Sequence, residues 1–223
     1  MPEGPGIVKN EYSFYIVDMP RVSEAHLEQR RQQILDAARA CFIRKGFHET
    51  SMQDIFAEAG LSAGAVYRYF KSKTEIVESI SSEAISMMGG ALYEIVAEHP
   101  PPPPEEAMER LMAHMLENGE SYLNSFTLAP QVWSLAMHDS GYRNNIANVL
   151  RPVHALWTTY AENLRDAGML PPDSDPEAVS RTLLALVPGF MLQRVILGGI
   201  SPETLRDGLY ALRHSTAATD SSS

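Results

Sequence analysis

The sequence predicts an all-α protein, and three observations carry that expectation. Apolar residues recur at three- and four-residue steps through most of the chain. The apolar–polar alternation that marks strands is nearly absent. Gly, Pro, Ser and Asp fall where the helical stretches would begin and end.

Residues 1–22 carry Gly and Pro without a helical period and are expected to be a disordered tail, with Met19 an alternative start. From Ser23 the pattern turns helical. Ile34, Ala38, Cys41 and Phe42 share one face, and Gly46 suits the left-handed residue that follows a helix end, so the first helix covers about 23–45. Cys41, on the apolar stripe, reads as a core residue. Ser51 with Asp54 opens a short second helix whose inner face is Ile55, Phe56 and Ala59. Gly60 ends it, Leu61 plugs the turn, and Ser62 caps a third helix that buries Val66 and Phe70. Two short helices joined by a tight Gly turn form a helix-turn-helix.

Ser72 with Glu75 begins a longer helix that runs to about His99. Five prolines, residues 100–104, lack N–H donors and form a stiff spacer. Helices follow at about 105–124, 127–138 and 142–168. Asp175 caps the next, with Pro176 at its first position and an end near 198, and Pro188-Gly189 should kink it. Ser201-Pro202 opens a last helix to about Arg213, and residues 215–223 are expected to be a second disordered tail. The domains expected are therefore 23–75 and 76–214.

The chain has 223 residues, 44% hydrophobic and 21% charged, as in an ordinary globular protein. No run of about eighteen apolar residues predicts a membrane span, and no basic flank precedes an apolar segment at the start, so neither membrane nor secretion is expected. One cysteine forms no intrachain disulfide and fits a reducing cytoplasm. The net charge of −10 is unevenly spread: residues 19–75 carry +2 and residues 76–223 carry −10. A positively balanced front on an acidic body suits a front that meets a polyanion and a body that avoids it.

The stretch LSAGAVYRYFKSKTEI, residues 61–76, concentrates this chemistry. Burial of Val66 and Phe70 turns Ala63, Gly64, Tyr67 and Arg68 outward. A recognition helix of this kind meets base edges in the DNA major groove near its own N-terminus. Free N–H groups at Ser62 and Ala63 can bind phosphate, and Gly64 allows close backbone approach. Tyr67 and Tyr69 offer hydroxyls to phosphate and rings to thymine methyls. Arg68 suits guanine, and Lys73 is expected beside the same DNA backbone. The plain alternative is a solvated helix with two half-buried tyrosines. The combination Ser-x-Gly-x-x-Tyr-x-Tyr-Phe-x-x-Lys after a Gly-Leu turn fits that alternative poorly.

These residues, with the block RRQQILDAARACFIRKGFHETSMQDIFAEAG before them, resemble the TetR family of bacterial transcription repressors over about residues 25–80. The resemblance implies an N-terminal three-helix helix-turn-helix DNA-binding domain followed by a helical ligand-binding and dimerisation domain. It implies a homodimer that reads a palindromic double-stranded DNA operator and a small-molecule effector that controls binding. Carried over by position, Ser51 and Met52 join Ser62, Ala63, Gly64, Tyr67, Arg68, Tyr69 and Lys73 as the DNA-contacting set. Some relatives have Thr at the position of Met52.

The body is rich in adaptable apolar side chains that could line a pocket for a flat or greasy effector. Met112, Met115, Tyr122, Phe126, Trp133, Met137 and Trp157 are the candidates, with His154 and Gln193 as orienting polar groups. Each taken alone also fits plain core or surface. Helices 142–168 and 176–198 are the expected dimer seam, because TLLALVPGFMLQRVIL is apolar on more than one face.

Enzyme readings find little support. There is no G-x-x-x-x-G-K-[ST] loop, H-E-x-x-H helix or G-x-S-x-G elbow, and no two histidines lie four residues apart. No catalytic residue, metal or cofactor is expected. A helical enzyme or an interaction module remains the alternative class.

Overall fold

The computed structural model describes residues 24–117 and 120–214, and the side chains of all of these except 120–127. The expected tails and the side chains of Tyr122 and Phe126 lie outside the described residues. Every regular element among those described is a helix: α1 (Glu24–Lys45), α2 (Met52–Ala59), α3 (Ala63–Tyr67), α4 (Lys73–Val96), α5 (Pro104–Glu117), α6 (Glu120–His138), α7 (Ser140–Asp166), α8 (Pro176–Ile196) and α9 (Pro202–His214).

The front helices follow from their caps. Gly46, at φ 81°, closes α1 with its N–H donating to the Phe42 carbonyl. Ser51 and Asp54 form both halves of a capping box on α2. Gly60, at φ 64°, ends α2, and the Leu61 N–H returns to the Phe56 carbonyl. Ser62 caps α3 by accepting from the Ala65 N–H. At α4 only half of the expected box forms. The Ser72 hydroxyl accepts from the Glu75 N–H, but the Glu75 carboxylate takes the N–H of Lys71 rather than that of Ser72.

Behind the proline spacer the boundaries differ from expectation. α5 ends at Glu117 and α6 already runs from Glu120, so Pro130 lies inside α6 instead of in its first turn. A proline costs a helix one hydrogen bond, and packing of α6 on α4, α7 and α8 outweighs that loss. α7 begins earlier than 142 because Asp139 caps it, accepting from the Tyr142 N–H. Pro152 and Pro188 lie inside α7 and α8, which continue through them.

Two cores share α4. The front core joins Ile34, Phe42, Ile55, Val66 and Phe70 to Ile76, Val77 and Ile80 of α4, and Leu128 and Tyr142 close it from α6 and α7. The rear core joins Met88, Leu92 and Ile95 of α4 to Met108, Met112, Trp157, Tyr160, Val187 and Phe190. α4 is thus unbroken across residue 75 and belongs to both. Polar ties reinforce this frame. Tyr160 donates to the Pro102 carbonyl at 2.7 Å, pinning the spacer to α7, and burial raises its phenol pKa. Arg206 and Arg213 of α9 pair with Glu109 and Glu105 of α5.

α8 is the one helix among those described that is long and apolar enough to cross a bilayer, which the count of consecutive apolar residues did not register. Its Leu183, Val187 and Phe190 are nevertheless buried in the rear core.

Glu83 of α4 receives both Arg31 and Arg39 of α1, and Arg39 is nearly fully buried. Glu83→Ala leaves the buried Arg39 with Asp36 as its remaining carboxylate, so chemical denaturation should register a loss of about 1–3 kcal/mol.

Candidate nucleic-acid interface and the cavity behind it

Ala63, Gly64, Tyr67 and Arg68 stand on the outer face of the α2–turn–α3 unit, all exposed, while Val66 and Phe70 are buried beneath them. Tyr67 is held in place by the Phe56 ring of α2, edge to face at 5.3 Å between centroids. Arg68 makes no ion pair among the described residues. Tyr69 and Met52 are half-buried against the front core, so they offer less surface than Tyr67 does. The Ser51 hydroxyl is exposed and donates to Asp54, whose second oxygen takes the Lys45 ammonium. These bonds hold the Asp54 carboxyl well below its usual range, with the Lys45 bond the largest cause.

Gly64 is informative because nothing inside the protein requires it. A Cβ built there meets no atom within 4 Å, and its φ is not positive. Glycine in a helix interior costs roughly 0.8–1 kcal/mol against alanine. Gly64, second of the five residues of α3, costs less than that, and unlike Gly90, Gly189 and Gly208, which are equally unconstrained, it bares the backbone on the outer face of the turn unit.

Lys73 requires a correction. The sequence places it beside the DNA backbone, whereas the structure turns its ammonium inward. It donates to the carbonyls of Phe47 at 2.5 Å and Thr50 at 2.7 Å, with His48 at 3.3 Å, and lies 4.3 Å from the Phe47 ring centroid. The α1–α2 turn leaves these carbonyls outside any helix, and the first residue of α4 is the nearest donor to them. Partial burial lowers the Lys73 pKa.

A cavity of ≈ 230 Å³ opens behind this unit, between α4, α6, α7 and α8. Of the pocket candidates, Met115 and Trp133 line it. Met112 and Trp157 are fully buried in the rear core, with Trp157 packed edge to face on Tyr160 at 5.7 Å. His154 is half-buried with its Nε2 3.6 Å from Glu177 on α8. Met137 is 70% exposed and Gln193 is also exposed. These five are corrected from lining to core or surface. Helical phase decides the difference: on α5 and α7, Met112 and Trp157 fall on the faces buried in the rear core. The wall residues not assigned to the pocket from sequence come from α4, α6, α7 and α8, with Val77, Ile80, Ser81, Ala84, Ile85 and Met88 on α4. Their signal was a stripe two residues wide with small Ser81 and Ala84 at its centre. Phe47 and Gln131 were also missed. Phe47 belongs to the front unit yet lines the cavity, and its N–H donates to Gln131 Oε1 of α6 at 2.5 Å.

A capped α2–turn–α3 unit with a free outer face, joined through one continuous helix to a helical body with an apolar cavity, defines the two-domain helix-turn-helix class. Residues 34–80 match the family described as bacterial regulatory proteins, tetR family. The likeness to that family is carried by the front helices and the start of α4, and the chain spans less than half the length of the first curated relatives it matches. It is 44% identical over 61 residues to the HTH-type regulator YfiR of Bacillus subtilis, a match covering 27% of this chain and 30% of that one. It is 28% identical over 184 residues to the HTH-type regulator BetI of Serratia proteamaculans, covering 81% of this chain and 87% of that one. The fold is shared with FadR of Bacillus subtilis, solved with stearoyl-CoA, at a TM-score of 0.68 and 18% identity over 82% of this chain and 97% of that one.

Lys73→Met leaves three carbonyls of the α1–α2 turn without their donor. Unfolding of the full chain should register a loss of roughly 1–3 kcal/mol, with amide exchange fastest between residues 46 and 51.

Proposed function

We propose that the chain is a transcriptional repressor that binds a roughly palindromic operator as a homodimer and is released by a small, largely apolar effector in the body cavity. The observation that carries the DNA reading is Gly64. An outward face kept bare at a cost to its own helix, flanked by Ala63, Tyr67 and Arg68, suits a backbone that must approach another surface closely. With Arg68 and Lys71 exposed beside it, that surface is a polyanion. Arg68 is assigned to guanine and Tyr67 to phosphate or a thymine methyl. Lys73 is assigned to hold the turn.

The dimer reading rests on α8. Ala178, Thr182, Ala185, Leu192 and Ile196 fall on one helical face, at steps of four, three, seven and four residues, and are all exposed, with Ile196 at 68%. Small residues followed by large apolar ones suit close helix pairing about a twofold axis. Two recognition helices then sit about 34–36 Å apart, one turn of DNA. A cytoplasmic location follows from the operator. No catalytic role is assigned.

Release requires only that the effector prefer the form that does not fit DNA. Because α4 lines the cavity and begins five residues after α3, its displacement changes the helix spacing. A coupling of about 2.7 kcal/mol, roughly a hundredfold, is enough for a useful switch.

DNA fragments retained by the protein supply the operator for two tests. Gly64→Leu should leave the fold as stable or up to about 1 kcal/mol more stable while lowering operator affinity more than about tenfold in gel-shift titration. Wild-type affinity in this variant contradicts the assignment of the face. Tyr67→Ala should abolish operator binding with the dimer intact in sedimentation.

A further inference from the structure

The wall of the cavity restricts what it can hold. Among the described residues lining it there is no Asp, Glu, Lys, Arg or His. The Ser81 hydroxyl is already committed to the Val77 carbonyl at 2.8 Å and lies 3.3 Å from the Tyr142 hydroxyl. Gln131 is the only amide in the described wall. A charge brought here would lose its water and find no counter-charge. A cavity of 150 Å³ accommodates benzene, so ≈ 230 Å³ suits a hydrocarbon body of about nine carbon atoms. Long acyl-CoA thioesters are too large and too charged, and a quaternary ammonium finds no anion here.

One wall residue comes from the DNA-binding unit itself. Phe47 sits in the α1–α2 turn, buried, with its ring against Phe42 and one edge on the cavity. Three interactions fix it: its N–H on Gln131 of α6, its carbonyl on the Lys73 ammonium at the start of α4, and that ammonium over its ring. An occupant of the cavity therefore touches the DNA-binding unit without any intermediary. The group that anchors Phe47 from the body side, Gln131, is also the group best able to bind a polar end of that occupant.

We propose that the effector is an uncharged, mostly hydrocarbon molecule of about nine carbon atoms with a single hydrogen-bonding group, and that Phe47 senses it. The effector's polar group competes for Gln131, the bond to the Phe47 N–H opens, and the α1–α2 turn loses its tie to α6. Gln131 is a positioning residue, acting on the DNA interface through Phe47. This rests on the repressor reading above.

The test uses the full chain carrying Trp157→Phe, so that Trp133 reports the cavity, with 1-nonanol as probe and sodium nonanoate as its charged counterpart. 1-Nonanol is expected to shift Trp133 emission at concentrations at least about tenfold below nonanoate and to weaken operator binding at least tenfold. In Gln131→Met, which lacks the acceptor, operator affinity without ligand should fall toward the value of the nonanol-bound protein. Nonanol should still shift Trp133 emission there but change operator affinity less than threefold. Phe47→Leu should bind nonanol and likewise lose the operator response, and circular dichroism checks that both variants fold. Nonanoate binding as tightly as nonanol overturns the effector class. A full operator response in folded Gln131→Met and Phe47→Leu overturns the sensing role. Absence of operator binding by the unaltered chain overturns the repressor reading instead, and the Trp133 titration still decides the effector class.

Discussion

The organisation of this protein depends on how the α1–α2 turn is held. Its backbone carbonyls would be stranded between two helices, and the Lys73 ammonium collects those of Phe47 and Thr50 while resting on the Phe47 ring. Because Lys73 is also the first residue of α4, this one cation fixes the front unit to a helix that lines the cavity. Gln131 makes the second attachment from α6. The front unit is therefore joined to the body by a chain of specific polar contacts around one buried aromatic residue. Such contacts can be lost one at a time while the apolar cores on either side remain intact.

The same frame explains why α4 is shared between two cores rather than ending at a domain boundary. Its first half packs with Phe42 and Val66, its second with Trp157 and Phe190. Glu83, between the two, ties α1 to it through Arg31 and Arg39. One helix thus packs with the front unit at one end and lines the cavity through Val77 to Met88, so in the proposed reading the effector and α3 share a single element. α3 itself adds little stability. It has five residues, one of them a glycine whose missing side chain would have met no neighbour.

The front of the molecule was legible because its signals are local. Ser51, Gly60 and Ser62 act on backbone groups within four residues of themselves, so their meaning survives without tertiary context. The outward face of α3 follows from Val66 and Phe70 by helical period alone. Lys73 was misplaced because its partners lie 23 to 26 residues away, on carbonyls that carry no side-chain signature. The cavity was mostly illegible for a related reason. Met112, Met115, Trp133 and Trp157 look alike in sequence, and only the phase of each helix against its neighbours separates wall from core. Pro130 shows the limit from the other side: a strong local breaker was overruled by packing on the surrounding helices.

The central claim is that the outer face of α3 enters a DNA groove. The salt dependence of binding to a duplex recovered from retained fragments tests it most directly, with a scrambled duplex beside it. Between about 50 and 200 mM salt the affinity for the recovered duplex should fall at least about a hundredfold while remaining well above that for the scrambled sequence. A flat salt response, or equal affinity for both duplexes, would contradict it.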